Sequence, residues 1–178
     1  MSAHLAGDLT YAQVIIPVLC FPLCVAYQAW EFRQDKGARA FFKRVREGWI
    51  DENTLKGQQA VNTTRDYIRA SVFFANTAIL LSTFVASYAA TRYSACAEDS
   101  CSHQEWLLIV KLGLLVVVLM TLFFVFTQCT RFAVHFSFLI NTRAVGGRPL
   151  PKSLMLKVFN RSHRHYSMGI RLYFGTVP

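Results

Sequence analysis

Three long stretches of the 178-residue chain carry no charged side chain, and this feature constrains the fold more than any other. The stretches run from 10 to 30, from 70 to 91 and from 112 to 130. About 20 residues of α-helix cover the roughly 30 Å hydrocarbon core of a bilayer. Because unpaired backbone amides are costly in lipid, a crossing stretch must close its own hydrogen bonds as a helix. The pattern predicts an all-α integral membrane bundle with three transmembrane helices.

Two other interpretations of these stretches fit the residues less well. Helices of globular proteins average about 11 residues, and those at a soluble core keep a polar stripe. A cleaved signal peptide needs a basic region before its apolar core and small residues after it. The first stretch is instead preceded by His4 and Asp8 and ends in Tyr27, Gln28 and Trp30. We therefore expect a retained first span.

Charge is distributed unevenly among the segments that join the predicted spans. The chain divides into spans at about 10–30, 70–91 and 106–131, a connection at 31–69, a loop at 92–105 and a tail at 132–178. The connection holds nine Lys or Arg, whereas the loop has one basic residue, Arg92, against three acidic ones. The tail is basic and contains no Asp or Glu. The positive-inside rule places the connection and the tail on the inner side of a single membrane domain, and the N-terminus and the loop outside.

The net charge of +9 lies beside the apolar stretches, which favours a membrane role over nucleic-acid binding. Part of the basic connection is also amphipathic. Its apolar side chains at helical spacing are Phe41, Phe42, Val45, Trp49 and Ile50, and its basic ones are Lys43, Arg44 and Arg46. This pattern predicts a helix that lies on the membrane surface or packs against a partner.

Cys96 and Cys101 fall in the predicted outer loop, five residues apart. This spacing is compatible with a disulfide in an oxidising compartment, and free thiols are the alternative. A zinc site with the adjacent His103 would have three ligands, whereas structural zinc takes four. Only His135 lies near membrane depth, so a bis-histidine haem site is not expected. We predict neither metal nor cofactor.

The second span places small residues along one helical face. They are Ser71, Ala75, Ala78, Ser82, Ala86 and Ala90. Small side chains let helix backbones approach closely in lipid, where the hydrophobic drive between helices is weak. We predict that this face packs against another helix.

Three polar residues share a face where the third span leaves the membrane. Gln128, Arg131 and His135 follow the spacing i, i+3 and i+7. The planar fork of an arginine suits phosphate or carboxylate. We predict that the group binds an anionic lipid headgroup or a carboxylate of a partner, with a pigment site or a plain interfacial anchor as alternatives.

Five short motifs follow one another along the chain. They are Ile16, Pro17 and Leu19 with 27–30; 61–66; 75–81; Arg131, Phe132 and His135 with 138–142; and Gly169 with 171–173. In this order they resemble the motifs of domain of unknown function 599, a family of polytopic membrane proteins of plants and bacteria. Asn62 stands where that family has Gln, and Ile170 where it has Asn. The resemblance implies a membrane fold with no assigned reaction, and a fourth span after the last motif.

The sequence contains no G-x-S-x-G, H-E-x-x-H or phosphate-binding glycine loop, so no enzyme is expected. We expect a non-catalytic accessory or scaffold subunit of a membrane complex, with other membrane subunits and anionic phospholipids as partners. A transporter or channel module is the alternative, because Pro17 and Pro22 interrupt the first span. A mitochondrial inner membrane is favoured over a plasma or thylakoid membrane.

Overall fold

The structure is a computed structural model that describes Ala26 and residues 36–53, 57–98, 102–142, 144–145 and 148–176. Within these ranges the chain forms four α-helices and one pair of short antiparallel strands. In chain order they are α1 (Lys36–Asn53), α2 (Gly57–Glu98), α3 (His103–Asn141), β1 (Ala144–Val145), β2 (Arg148–Pro149) and α4 (Lys152–Thr176). The predicted first span lies outside the described residues apart from Ala26. The predicted all-α class is confirmed for the described part of the chain.

Helices α2 and α3 have 42 and 39 residues, so each is about 60 Å long. Both are long and apolar enough to cross a membrane. In the most apolar 18-residue segment of each helix, only 22% (α2) and 17% (α3) is buried within the chain. The core helix of a soluble protein would be mostly buried. Both helices continue past the predicted span ends, because hydrogen bonding of the helical backbone does not stop where charged side chains begin.

The two long helices run antiparallel and pack closely over one half of their length. The Ser71 Oγ lies 3.3 Å from the Cys129 Sγ, and the rings of Phe74 and Phe126 stack at 5.2 Å. Moving from Ser71 to Phe74 along α2 corresponds to moving back from Cys129 to Phe126 along α3. This antiparallel register places Arg69 and Arg131 at the same position along the common axis of the two helices. The uncharged stretches of both helices therefore begin at one common level, and we call this the basic end of the pair.

Helix α4 runs back along α3, away from the basic end. Met155 packs with Phe136 and Ile140, and further along α4 a Cβ added at Gly169 would meet the ring of Phe126. The part of the tail from Tyr166 onward lies beside the uncharged stretches, because the apolar side chains of α4 pack into the groove between α2 and α3. The inward position of the tail, which its charge predicts, stays a prediction.

All four helices meet in a small apolar core beyond the basic end. Its buried members are Ile50 of α1, Ala60 of α2, Phe136 and Ile140 of α3, and Met155 of α4. Two polar contacts also join α1 to α4: the Arg46 Nε donates to the Asn160 side chain at 2.8 Å, and Lys152 pairs with Asp51. Since α1 meets α4 in reverse order, Arg46 lies nearer the level of Arg69 and Arg131 than Asp51 does.

Exposed hydroxyl groups on the two long helices bond within their own helix. Thr77, Thr83, Thr121 and Thr127 each donate to the carbonyl four residues earlier. A hydroxyl that returns to its own backbone leaves no unpaired donor on the helix surface. The threonine hydroxyls on the outer surfaces of α2 and α3 are therefore compatible with an apolar environment such as lipid.

Candidate functional site

The predicted polar group on α3 lies on the side of the helix that faces away from α2. Arg131 and His135 are exposed and Gln128 is half-buried, whereas the neighbouring Cys129 and Phe136 are fully buried. Among the described residues, none of the three predicted residues forms an ion pair with a carboxylate. These side chains are therefore accessible to solvent, to lipid or to a partner protein.

The small-residue face of α2 divides into two parts. Ser71, Ala75, Ala78 and Ser82 are buried, and two of them pack in an apolar cluster with Leu119, Leu122 and Phe126 of α3. Ala86 and Ala90 are exposed, so their predicted packing against another helix stays a prediction. The buried residues of α3 begin only at Leu119, so the first part of that helix does not cover them.

The predicted amphipathic segment forms part of α1, and its apolar residues divide between two environments. Trp49 stacks on Phe159 at 5.7 Å, and Ile50 belongs to the core beyond the basic end. Phe41, Phe42 and Val45 remain exposed. Part of this face is thus covered by the chain itself, and the part nearest the basic end is open.

Cys96 is disulfide-bonded. Its predicted partner, Cys101, lies outside the described residues, so the pairing stays a prediction. Cys129, by contrast, is a free and fully buried thiol.

Cys129 is the centre of a buried polar network that joins three helices. Its thiol donates to the Tyr67 hydroxyl of α2 at 3.2 Å and lies 3.3 Å from the Ser71 hydroxyl. On the other side, the Ser162 hydroxyl of α4 donates to the Cys129 carbonyl oxygen at 2.9 Å. Tyr166 adds a ring contact with Tyr67 at 5.0 Å between centroids. We call this group the Cys129 network. It determines the position of α4 along the axis of the two long helices.

A second group gathers positive charge around one aromatic ring at the same height. The ring of His165 stacks almost parallel on the ring of Phe132, with 5.6 Å between their centroids. The guanidinium carbon of Arg161 lies 4.8 Å from the centroid of the Phe132 ring. Partial burial, followed by the charges of Arg161 and Arg164, lowers the pKa of His165. We call Phe132, Arg161, Arg164 and His165 the Phe132 cluster.

The Phe132 cluster adjoins the predicted polar group. Phe132 follows Gln128 by four residues and precedes His135 by three, and residues at these spacings are neighbours on a helix surface. Sequence reasoning found Gln128 and His135 because they share a helix. It missed the contributions of α4, because nothing in the local pattern shows which part of the tail returns to α3.

The sequence is similar to one known protein family over most of its length. The model of one family, described as protein of unknown function DUF599, matches residues 14–178. The chain belongs to the DUF599 family. The predicted resemblance is thereby confirmed over nearly the whole chain. No curated protein and no solved structure matches it.

Proposed function

We propose that this member of the DUF599 family is a non-catalytic accessory or scaffold subunit of a larger membrane protein complex. In this proposal α2, α3 and the stretch 10–30 cross the bilayer. The connection 31–69 and the basic end of the long helices face inward, and the loop 92–105 faces outward. The level shared by Arg69 and Arg131 supports this arrangement, because basic residues gather at the inner boundary of membrane proteins.

The observation that carries the proposal is the amount of apolar surface that the chain leaves open. Exposed large side chains follow both long helices: Phe73, Leu80, Phe84 and Tyr88 on α2, and Val110, Leu114, Val117 and Phe124 on α3. Lipid covers such surfaces in part. The exposed Ala86 and Ala90 offer in addition a narrow face on which the backbone of a neighbouring span can approach.

A matched pair of variants tests whether that face contacts a partner subunit. We expect Ala86→Leu with Ala90→Leu to separate the protein from its complex, because added volume pushes the neighbouring backbone away. Thr91→Leu changes an exposed residue of the same helix that is neither three nor four residues from either alanine, and it serves as the control. Native purification from membranes, with identification of the co-purifying proteins, measures the effect. A stoichiometric complex lost only in the alanine double variant supports the proposal, whereas a lone protein in all preparations contradicts it.

A transporter or channel module is the second candidate, and Arg171 is the observation that favours it. Arg171 is half-buried and lies between Gly169 and Tyr173, which contact Phe126 and Phe74 beside the uncharged stretches. A cation at this depth is costly and is often functional. Solute flux through purified protein in liposomes, reduced by Arg171→Gln, would favour this candidate over the accessory role.

The proposal places the protein in the mitochondrial inner membrane, with a plasma or thylakoid membrane as alternatives. The inward basic segments suit the matrix side of that membrane. Fractionation of cells that express a tagged chain, followed by carbonate extraction, distinguishes the three membranes and separates integral from peripheral association.

A further inference from the structure

We propose that the Phe132 cluster binds the phosphate of an anionic phospholipid headgroup, with Arg161 and Arg164 as the principal ligands. This inference deepens the proposed function and rests on it, because it requires the basic end to lie at a membrane surface. It assigns lipid recognition to residues of α4 rather than to Arg131 alone.

No carboxylate of the described residues pairs with the charges of the cluster. Among the described residues, the ion pairs are Lys43 with Glu47, Arg69 with Asp66 and Lys152 with Asp51, so none involves this cluster. No Asp or Glu occurs anywhere between 106 and 178. Arg161 and Arg164 are exposed, so a ligand can reach both guanidinium groups. An anion from outside the chain would therefore meet uncompensated positive charge.

The spacing of the two arginines suits a single phosphate group. Residues three apart on a helix have Cβ atoms about 5–6 Å from each other, so two long side chains can converge on one anion. Each guanidinium presents a planar set of donors that matches phosphate oxygens. The contact with the Phe132 ring restricts Arg161, which reduces the conformational entropy that binding would cost.

The position of the cluster selects a lipid over a soluble phosphate. Phe132 lies two residues beyond the uncharged stretch that ends at 130, at the boundary between charged and uncharged surface. On the same face of α4, one turn after Arg164, Met168 is 51% exposed beside the uncharged stretches. The helix therefore offers positive charge at headgroup height and an apolar side chain at acyl-chain height.

Retention of phosphatidylglycerol by the purified full-length chain tests this assignment. The protein is reconstituted with phosphatidylcholine and phosphatidylglycerol, extracted in mild detergent, and its bound lipids are counted by mass spectrometry. We expect Arg161→Gln with Arg164→Gln to weaken phosphatidylglycerol retention by about tenfold for each arginine, since one hydrogen bond to a charged group contributes about that factor. Arg44→Gln with Arg65→Gln removes the same charge from exposed positions of α1 and α2 and is the matched control.

Each outcome bears on the assignment. Loss confined to the Arg161 and Arg164 double variant supports it, whereas equal loss in both double variants shows attraction to net charge alone and overturns it. Arg161→Lys with Arg164→Lys keeps the charge and the fold, and full retention in this variant also overturns the bidentate site. If inorganic phosphate or glycerol phosphate stabilises the detergent-solubilised protein as much as short-chain phosphatidylglycerol does, the ligand is a soluble phosphate and the lipid assignment fails. Absence of the chain from membrane fractions would instead contradict the proposed function itself.

Discussion

Gly169 lets α4 lie directly against α3. A Cβ atom at this position would come within 2.8 Å of the Phe126 ring, which is fully buried and stacked on Phe74. We expect Gly169→Ala to destabilise the protein, because forcing a group into a packed site costs about 1–3 kcal/mol. The helix propensity of alanine offsets about 1 kcal/mol of that cost. Thermal unfolding in detergent measures the difference.

Gly113 provides the control for this prediction. It also lies inside a helix, but a Cβ there would meet nothing within 4 Å. Gly113→Ala should therefore raise the stability by about 0.5–1 kcal/mol. Phe126→Leu in the Gly169→Ala background should restore part of the loss by making room. Similar effects of the two glycine substitutions would show that Gly169 is not held by packing.

His165 gives the Phe132 cluster a pH-dependent stability. Its pKa is lowered by partial burial and by the two neighbouring arginines, so the folded chain binds a proton there less readily than the unfolded chain does. The stability is therefore full above the ordinary histidine pKa of about 6.5 and decreases as pH falls through the lowered value. The apparent Tm in detergent between about pH 7.5 and 5 should fall less in His165→Gln than in the parent. Gln104→Ala, which changes an exposed and uncharged residue at the far end of α3, should keep the parental pH dependence. An unchanged dependence in both variants would contradict this role of His165.

Among the elements, α4 is held to the long helices by the Cys129 network. Ser162 is fully buried and donates to the Cys129 carbonyl oxygen, so Ser162→Ala removes a hydrogen bond worth about 1 kcal/mol. In a variant that keeps Cys129 alone, alkylation of this thiol reports the opening of α4. We expect about fivefold faster alkylation in Ser162→Ala, since exchange follows the opening free energy. Ser153→Ala, on the exposed surface of α4, should leave the rate unchanged. Equal rates in the two variants would show that the network does not hold α4.

The pairing of α2 with α3 depends on its buried small residues. Ala78 is fully buried in the cluster with Leu122, whereas its neighbour Ile79 is half-buried. We expect Ala78→Leu to separate the two helices and destabilise the protein by about 1–3 kcal/mol. Ile79→Leu conserves volume and should cost less than about 1.5 kcal/mol. Thermal unfolding of both variants in detergent checks this difference, and a tolerated Ala78→Leu would mean that the helices are not in close contact there.

At the scale of the whole molecule, the distribution of basic residues predicts which segments face each side. Single cysteines at Ser2, Ser100, Gly57 and Ser153, in a variant that lacks the native cysteines, test this arrangement. A membrane-impermeant thiol reagent applied to sealed vesicles should label the first two positions and leave the last two unlabelled. Labelling of Gly57→Cys from outside would reverse the orientation and move the Phe132 cluster to the other surface.

The sequence by itself determined the family, the helical class of the described part and the position of two long apolar helices. These follow from local properties, because the absence of charge over about 20 residues can be counted along the chain without knowing any contact. The burial of Ser71 to Ser82 was also predictable, since small residues at helical spacing mark a close approach of backbones. The first span, the Cys96 to Cys101 pairing and the inward orientation remain predictions.

Only the tertiary structure decided where the tail lies and which residues it brings to α3. Cys129 lies inside the third predicted span, where the sequence gives no sign of a polar contact, yet it bonds with hydroxyls of two other helices. In the sequence, Arg161 and His165 are simply two members of a basic tail. The structure shows that α4 brings both of them into contact with Phe132. The physical reason is that contacts between residues 33 and 62 positions apart in the sequence depend on the register and crossing of the helices, which no local period encodes. The local pattern also fails to show where a contact between helices ends. The small-residue spacing continues along α2 to Ala86 and Ala90, although α3 no longer covers them there.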